Sequence, residues 1–346
     1  MLETKAFAAF DPKQPLAPYT FERLEPRPND VLVKIAYCGV CHSDIHQVRN
    51  EWGGAKYPMV PGHEVVGHVE RVGSAVTKHK VGDAVGIGCF VDACNACDAC
   101  MRGLQQYCEK GIVWTYNGTD KDGRPTQGGY STQIVAHEDY VLRIRADQPL
   151  QAVAPLLCAG ITTYSPLKHW KIGKGHRLGV VGLGGLGHMG VKLGVALGAE
   201  VTVLSTSEKK RNDAKQLGAH DFLVTTDSKA FAAASARFDF LLDTVSAPHD
   251  LASYAGLLRT DGTMILVGVP DKPAPLPAFA LIGRRRSVAG SLIGGIPETQ
   301  EMLDFCADRS ITADVEVLAV QSVNDAYERM LKSDVRYRFV LDCSTL

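Results

Sequence analysis

The segment 177–211, RLGVVGLGGLGHMGVKLGVALGAEVTVLSTSEKKR, constrains the fold more than any other part of the chain. An apolar run at 178–181 reads as a strand and leads straight into Gly182, Gly184 and Gly187, giving G-x-G-x-x-G. An apolar helical stretch to Leu197 follows, then a second strand at 201–204. Strand, glycine turn and helix in this order permit a tight turn and close approach of a ligand to the backbone. A pyrophosphate can then sit against the helix N-terminus. The expectation is a dinucleotide site in a doubly wound parallel sheet.

The surrounding sequence extends that sheet. Strand patterns at 200–204, 222–224, 238–242 and 263–267 alternate with helical stretches ending at Leu217, near 229–237 and at Leu258. This order predicts an α/β unit with parallel strands. Residues 31–144 instead alternate short β-branched runs with glycine turns, which reads as an irregular, mostly β lobe. A chain of 346 residues is long for a single core, so two domains are expected. We place one at 1–158 with a return at 297–346, and the dinucleotide domain at 159–296. The Pro-rich stretch 269–279 reads as a loop, the triple arginine of 283–287 as a solvated loop, and 287–295 as an edge strand. After it, helix, strand, helix and strand are expected.

The cysteines pose a separate question. Cys94, Cys97, Cys100 and Cys108 fall within fifteen positions as C-x2-C-x2-C-x7-C. Four thiolates in one loop suit zinc or an iron–sulfur cluster. Bacterial ferredoxins begin with the same C-x2-C-x2-C but continue x3-C-P, whereas here seven residues intervene and Glu109 follows. Four thiolates also close a zinc shell, leaving no position for water or substrate. Such a site staples a lobe and does no chemistry. A second set is dispersed: Cys41 in CGVCHSDIH, His63 and Glu64 in PGHEVVGHV, and Cys158 in APLLCAGITTYSPL. Each alone reads as ordinary core. Together they offer two thiolates and an imidazole with one position open, as catalytic zinc requires.

Composition excludes several classes. A net charge of -1 offers no general attraction to nucleic acid or anionic membrane. No apolar run approaches the ~18 residues of a membrane span, and the opening MLETKAFAAFDPKQP does not read as a signal peptide. A cytoplasmic location is expected, where clustered cysteines point to metal rather than disulfides.

With these residues in view, the chain resembles the zinc-dependent medium-chain dehydrogenase/reductases, in their cinnamyl-alcohol-dehydrogenase-like branch. It looks closest to the bacterial NADP-dependent aldehyde reductases. YPMVPGHEVVG, TQGGYS, APLLCAGITTYSPL and GIPETQEMLDFC carry the likeness, which runs end to end. The resemblance implies a Rossmann domain plus a GroES-like catalytic domain, two zinc ions per chain and NADP(H). It makes Cys41, His63 and Cys158 the catalytic zinc ligands and the four clustered cysteines the structural set. Asp44 would orient the zinc-bound histidine, Glu64 would lie next to the metal, and Ser43 and His46 would carry the proton. His42 competes with His46 by proximity only. Thr162 would contact the nicotinamide, and the turn Gly182, Gly184, Gly185, Leu186 and Gly187 the pyrophosphate.

Coenzyme choice can be read at the end of the second strand. An acid there accepts the ribose 2′-OH and selects NAD, but here Ser205, Thr206 and Ser207 follow, then Lys209, Lys210 and Arg211. Hydroxyls and cations suit a 2′-phosphate, and family matching puts Ser205, Thr206 and Lys210 against it. Trp52, Trp114 and Tyr116 are candidate walls of an apolar pocket for an aromatic or medium-chain aldehyde. Zinc polyol dehydrogenation and a non-catalytic zinc- or dinucleotide-binding protein are the alternatives. The implied partners are this small molecule and, from the family's edge strand, a second copy in a homodimer.

Overall fold

The computed structural model describes residues 1–270 and 272–346 and divides into two compact units, Met1–Ile161 with Gly294–Leu346, and Thr162–Ile293. The sequence placed these divisions at 158/159 and 296/297. Asp271, within the stretch read as a Pro-rich loop, lies outside the described residues.

The second unit is built on six parallel strands: Arg177–Val181, Glu200–Ser205, Asp221–Val224, Phe238–Asp243, Leu258–Leu266 and Ser287–Gly290. Their spatial order is third, second, first, fourth, fifth, sixth, the doubly wound arrangement whose switch point lies between the first and fourth strands. Both are buried along most of their length, which is why they read as continuous apolar runs rather than alternating ones. Ser287–Gly290 is an edge strand, as expected, with Asp221–Val224 at the opposite edge.

Three local readings need correction. The Ala-rich helix covers only Ser228–Ala233. Ala236 takes φ 54°, a left-handed geometry that ends helical propagation. Leu258 does not end the preceding helix, which stops at Gly256, but opens the fifth strand opposite Phe238. The triple arginine is not uniformly solvated. Arg285 pairs with Asp261 at the surface, but Arg286 donates to the carbonyls of Leu258, Ala280 and Gly256, tying three segments together.

The first unit carries a seven-stranded sheet centred on Asp30–Gly39, which pairs antiparallel with Val65–Val72, Gln133–His137 and Arg338–Asp342. The return is helix Ile296–Asp308, strand Val315–Ala319, helix Val323–Leu331 and strand Arg338–Asp342. An antiparallel hairpin of Leu2–Ala8 with Ala17–Arg23, absent from the sequence reading, precedes it. One apolar cluster joins these elements, with Val31, Val33 and Ile35 of the central strand against Val323, Ala326 and Phe339 of the return. Among the described residues no helix is long and apolar enough to cross a membrane.

Candidate active site

The dispersed cysteines and histidine meet. Cys41, His63, Glu64 and Cys158 are all buried, each with a possible ligand atom within 4.8 Å of the others. Cys41 caps helix His42–Val48, directly after the buried central strand. His63 and Glu64 precede strand Val65–Val72, and Cys158 sits between the 3-10 turn Ala154–Leu157 and helix Ala159–His169. The Cys41 and Cys158 sulfurs lie 3.9 Å apart.

Asp44 organises two of these candidate ligands. It is fully buried, and as the third residue of its helix it accepts the Cys41 N–H at 2.9 Å, half of a capping box. Its other oxygen takes the Gly62 N–H at 3.2 Å and faces His63 Nδ1 at 3.1 Å. A carboxylate on Nδ1 fixes the proton there and leaves Nε2 as the lone-pair nitrogen. Tyr130, which sequence reasoning missed, donates to the same carboxylate at 3.0 Å.

The electrostatics suit a cation. The Cys41 thiol is drawn well down by a hydrogen bond from Cys158 and by the charges of Arg338 and His63. The same bond to Cys41, with Cys89 and burial, pushes Cys158 up. Burial raises the Glu64 carboxyl to about 7 even though Arg338 draws it down. Arg338, also buried and also missed, donates to Glu64 Oε1. Burial opposes its charge, but Glu64, Cys41 and Cys158 outweigh that and hold it cationic. Glu64 Oε2 is left buried without a hydrogen-bond partner among the described residues. An orphaned carboxylate oxygen, two thiols and an oriented imidazole fit a zinc ion.

The remaining expected residues divide in two. Ser43, half-buried, has its Oγ 3.6 Å from the Cys41 sulfur. His46 lies one turn further on the same helix, its Nδ1 on the Glu51 carboxylate and its ring stacked on Trp52 at 4.9 Å. Tyr116 is buried and stacks on His63 at 5.8 Å, whereas Trp52 and Trp114 are exposed. His42 is exposed too. The structure thus gathers Ser43, Asp44, Glu64 and Tyr116 around the candidate ligands, while His46 pairs away with Glu51.

Cys94, Cys97, Cys100 and Cys108 form the second group, with one sulfur each within 4.8 Å of the others. The Cys97 N–H points at Cys94 Sγ and the Cys94 N–H at Cys108 Sγ, each at 3.4 Å. Backbone N–H groups bring Cys94 down to about 6, while burial pushes Cys100 up to about 12. Gln105 accepts the Ile296 N–H at 3.1 Å, docking the loop on the returning helix.

In the dinucleotide unit Gly182 takes φ 89°, and Gly187 opens helix Gly187–Ala196. A Cβ at Gly184 would meet nothing within 4 Å, so the turn presents bare backbone there, followed by Gly185 and Leu186. Lys210 Nζ donates to the Leu183 carbonyl at 2.8 Å, bringing a cation from beyond the second strand onto that turn. Ser205 is buried, its Oγ accepting the Ser207 N–H at 3.3 Å, and Thr206 is exposed. Arg211 pairs with Glu208 and lies 4.9 Å over the Phe222 ring, so its charge is partly spent. Thr162 is buried on helix Ala159–His169.

A doubly wound sheet together with a β lobe bearing a Cys–His–Cys set and a four-cysteine loop is the build of a zinc-dependent dehydrogenase. Residues 27–146 match the alcohol dehydrogenase GroES-like domain, and residues 185–308 the zinc-binding dehydrogenase family. Aldehyde reductase YahK of Escherichia coli is 57% identical, covering 100% of this chain and 99% of its own. NADP-dependent alcohol dehydrogenase C of Mycobacterium tuberculosis is 55% identical over the whole of both chains. A cinnamyl alcohol dehydrogenase from Sorghum bicolor superposes with a TM-score of 0.96 at 47% identity, covering 99% of this chain and 98% of its own. The chain belongs to the zinc-binding alcohol dehydrogenase family and is an oxidoreductase.

Proposed function

We propose that the chain is a zinc-dependent, NADP(H)-preferring aldehyde reductase that also oxidises the corresponding primary alcohol. The observation that carries this is the convergence of Cys41, His63, Glu64 and Cys158 in one buried group, on a fold that also holds a glycine turn for a dinucleotide. When bound, zinc polarises the substrate carbonyl while the coenzyme supplies hydride.

The chain's own residues do the rest. Cys41, His63 and Cys158 hold the metal, and Asp44 fixes the face that His63 presents to it. Glu64, charge-balanced by Arg338, adds a buried carboxylate beside them. Ser43, beside Cys41, is placed to hand a proton to the carbonyl oxygen as it is reduced. His46, with Glu51 on Nδ1 leaving Nε2 for the exchange, would resupply the proton that Ser43 gives up. Thr162 supports the nicotinamide, and Ser205, Thr206, Ser207 and Lys210 receive the 2′-phosphate. Cys94, Cys97, Cys100 and Cys108 hold a structural zinc. The exposed edge strand Ser287–Gly290 suits pairing with a second copy, which supports a homodimer, and a cytoplasmic location fits ten cysteines none of which is in a disulfide among the described residues.

Steady-state screening of aromatic and aliphatic aldehydes, primary alcohols and polyols with both coenzymes tests this reading. Aromatic and medium-chain aldehydes with NADPH should give the highest kcat/KM. Preference for a polyol, or no turnover of any aldehyde, would overturn it.

A further inference from the structure

The TQGGYS motif carries part of the family likeness, yet no residue of it enters the mechanism above. Its place in the fold gives it a task. Gly128, Gly129 and Tyr130 lie along 60–62, the segment that delivers His63. Their N–H groups donate to the carbonyls of Val60, Gly62 and Pro61 at 2.7, 2.9 and 3.0 Å. Gln127 closes the upstream end, accepting the Val60 N–H at 2.7 Å and donating to the Pro58 carbonyl at 3.0 Å. The approach requires glycine: a Cβ at Gly128 would lie 2.4 Å from the carbonyl oxygens of both Pro61 and Gly62. The Tyr130 carbonyl in turn takes the Phe7 N–H at 2.9 Å, anchoring the motif to the first hairpin.

Tyr130 then reaches past the ligand loop to Asp44. Of the four donors on that carboxylate, the Cys41 N–H, the Gly62 N–H and the His63 ring belong to the two ligand segments. The fourth, the Tyr130 hydroxyl, comes from outside them. The residue is fully buried, so no water can replace it.

We propose that the TQGGY segment is a clamp on the catalytic metal site, and that Tyr130 is a positioning residue that holds Asp44, and through it His63 and Cys41, in ligating geometry. This rests on the reading of Cys41, His63 and Cys158 as a zinc site. Outer partners of metal ligands change affinity by ~10–100-fold. Because Asp44 keeps three donors without Tyr130, the lower end applies.

The test is zinc release from the full-length holoenzyme to a chromogenic chelator, compared between parent, Tyr130→Phe and Tyr140→Phe. Tyr140 is a buried tyrosine that donates to Asn95 in the four-cysteine loop, so its variant loses a similar bond at the other metal site. Tyr130→Phe should accelerate release of one zinc per chain by about tenfold and leave the other unchanged. Tyr140→Phe should leave the phase that Tyr130→Phe accelerates at the parent rate. Melting adds a second readout: Tyr130→Phe should lower the melting temperature of zinc-loaded protein more than that of metal-free protein. Release at the parent rate, or equal melting losses with and without zinc, would overturn the clamp and leave the zinc assignment standing. A parent that binds a single zinc would instead overturn that assignment and the clamp with it. Should Tyr130→Phe fail to fold, Gln127→Ala takes its place. It removes the two bonds at the outer end of the clamp and should speed the same phase, and an unchanged rate overturns the proposal equally.

Discussion

Gly39 is the residue whose substitution says most about the buried acid beside the metal ligands. A Cβ there would lie 1.9 Å from Glu64 Oε2, 2.9 Å from its Cδ and 3.0 Å from its Cβ. Ordinary contact needs about 3.5 Å, so the carboxylate must retreat by more than an ångström. Glu64 is fully buried and its other oxygen is held by Arg338, itself buried. If the ion pair moves as a unit, overpacking alone costs about 1–3 kcal/mol. If the pair separates, a buried charge loses its partner, at about 3–5 kcal/mol. Gly39→Ala should therefore destabilise the first unit by roughly 3 kcal/mol, between these limits, and lower kcat as Glu64 is displaced. The assay is a double-mutant cycle by urea titration, with Gly39→Ala introduced into the parent and into Glu64→Ala. Glu64→Ala removes the two nearest atoms and leaves the Cβ at 3.0 Å, so the new methyl should cost about 1 kcal/mol or less and the two changes should be strongly coupled. An equal cost in both backgrounds would refute the steric argument and the Glu64 placement on which it stands.

Three further outcomes are expected. A positioned proton-transfer group contributes ~10²–10⁴-fold, so Ser43→Ala should lose kcat on that order. His46→Ala should lose less and regain rate with added imidazole, and parent rates for both variants would remove them from the mechanism. Hydrogen bonds to charged groups contribute about 1.5–3 kcal/mol each, so NADPH should exceed NADH in kcat/KM by at least about tenfold. Ser205→Asp should narrow or reverse that ratio, and equal use of both coenzymes by the parent would contradict the reading. His249 faces Asp243 through Nε2 at 2.8 Å and the Ala247 carbonyl through Nδ1 at 2.9 Å, with Asp243 the main cause of its raised pKa. The stability this pair contributes is present in full below about pH 6.5 and is lost as pH rises through the higher folded value. Urea midpoints across that range should show a fall in the parent that His249→Gln lacks, and parallel curves would count against it.

Legibility followed the distance between interacting residues. The glycine turn and the four-cysteine loop are local, each formed by residues within about one element of one another, and spacing alone carried them. The inner strands Arg177–Val181, Glu200–Ser205 and Phe238–Asp243 are readable because burial leaves largely apolar runs. Arg338, by contrast, meets Glu64 from 274 positions away, and Tyr130 reaches Asp44 across 86. A partner brought in by tertiary folding leaves no periodicity to detect. TQGGYS carries a family likeness in the sequence, but its paired glycines before a tyrosine are also what a close backbone approach demands. The Glu51 and Trp52 contacts of His46 could have been found by asking what a five-residue reach offers its ring. The Ala-rich helix was overrun because alanine propensity says nothing of Ala236, whose left-handed geometry serves the turn in which Arg237 donates to the Leu257 carbonyl.

The most direct test of the central claim is the zinc content and turnover of Cys158→Ala measured on one preparation. On this reading the Cys41–His63–Cys158 group works and the four-cysteine loop only staples. Elemental analysis should find two zinc ions per chain in the parent and one in the variant. The variant should still bind NADPH, read by quenching of protein fluorescence, and should reduce no aldehyde. Bound iron, a single zinc in the parent, or aldehyde reduction by Cys158→Ala at the parent rate would contradict the account.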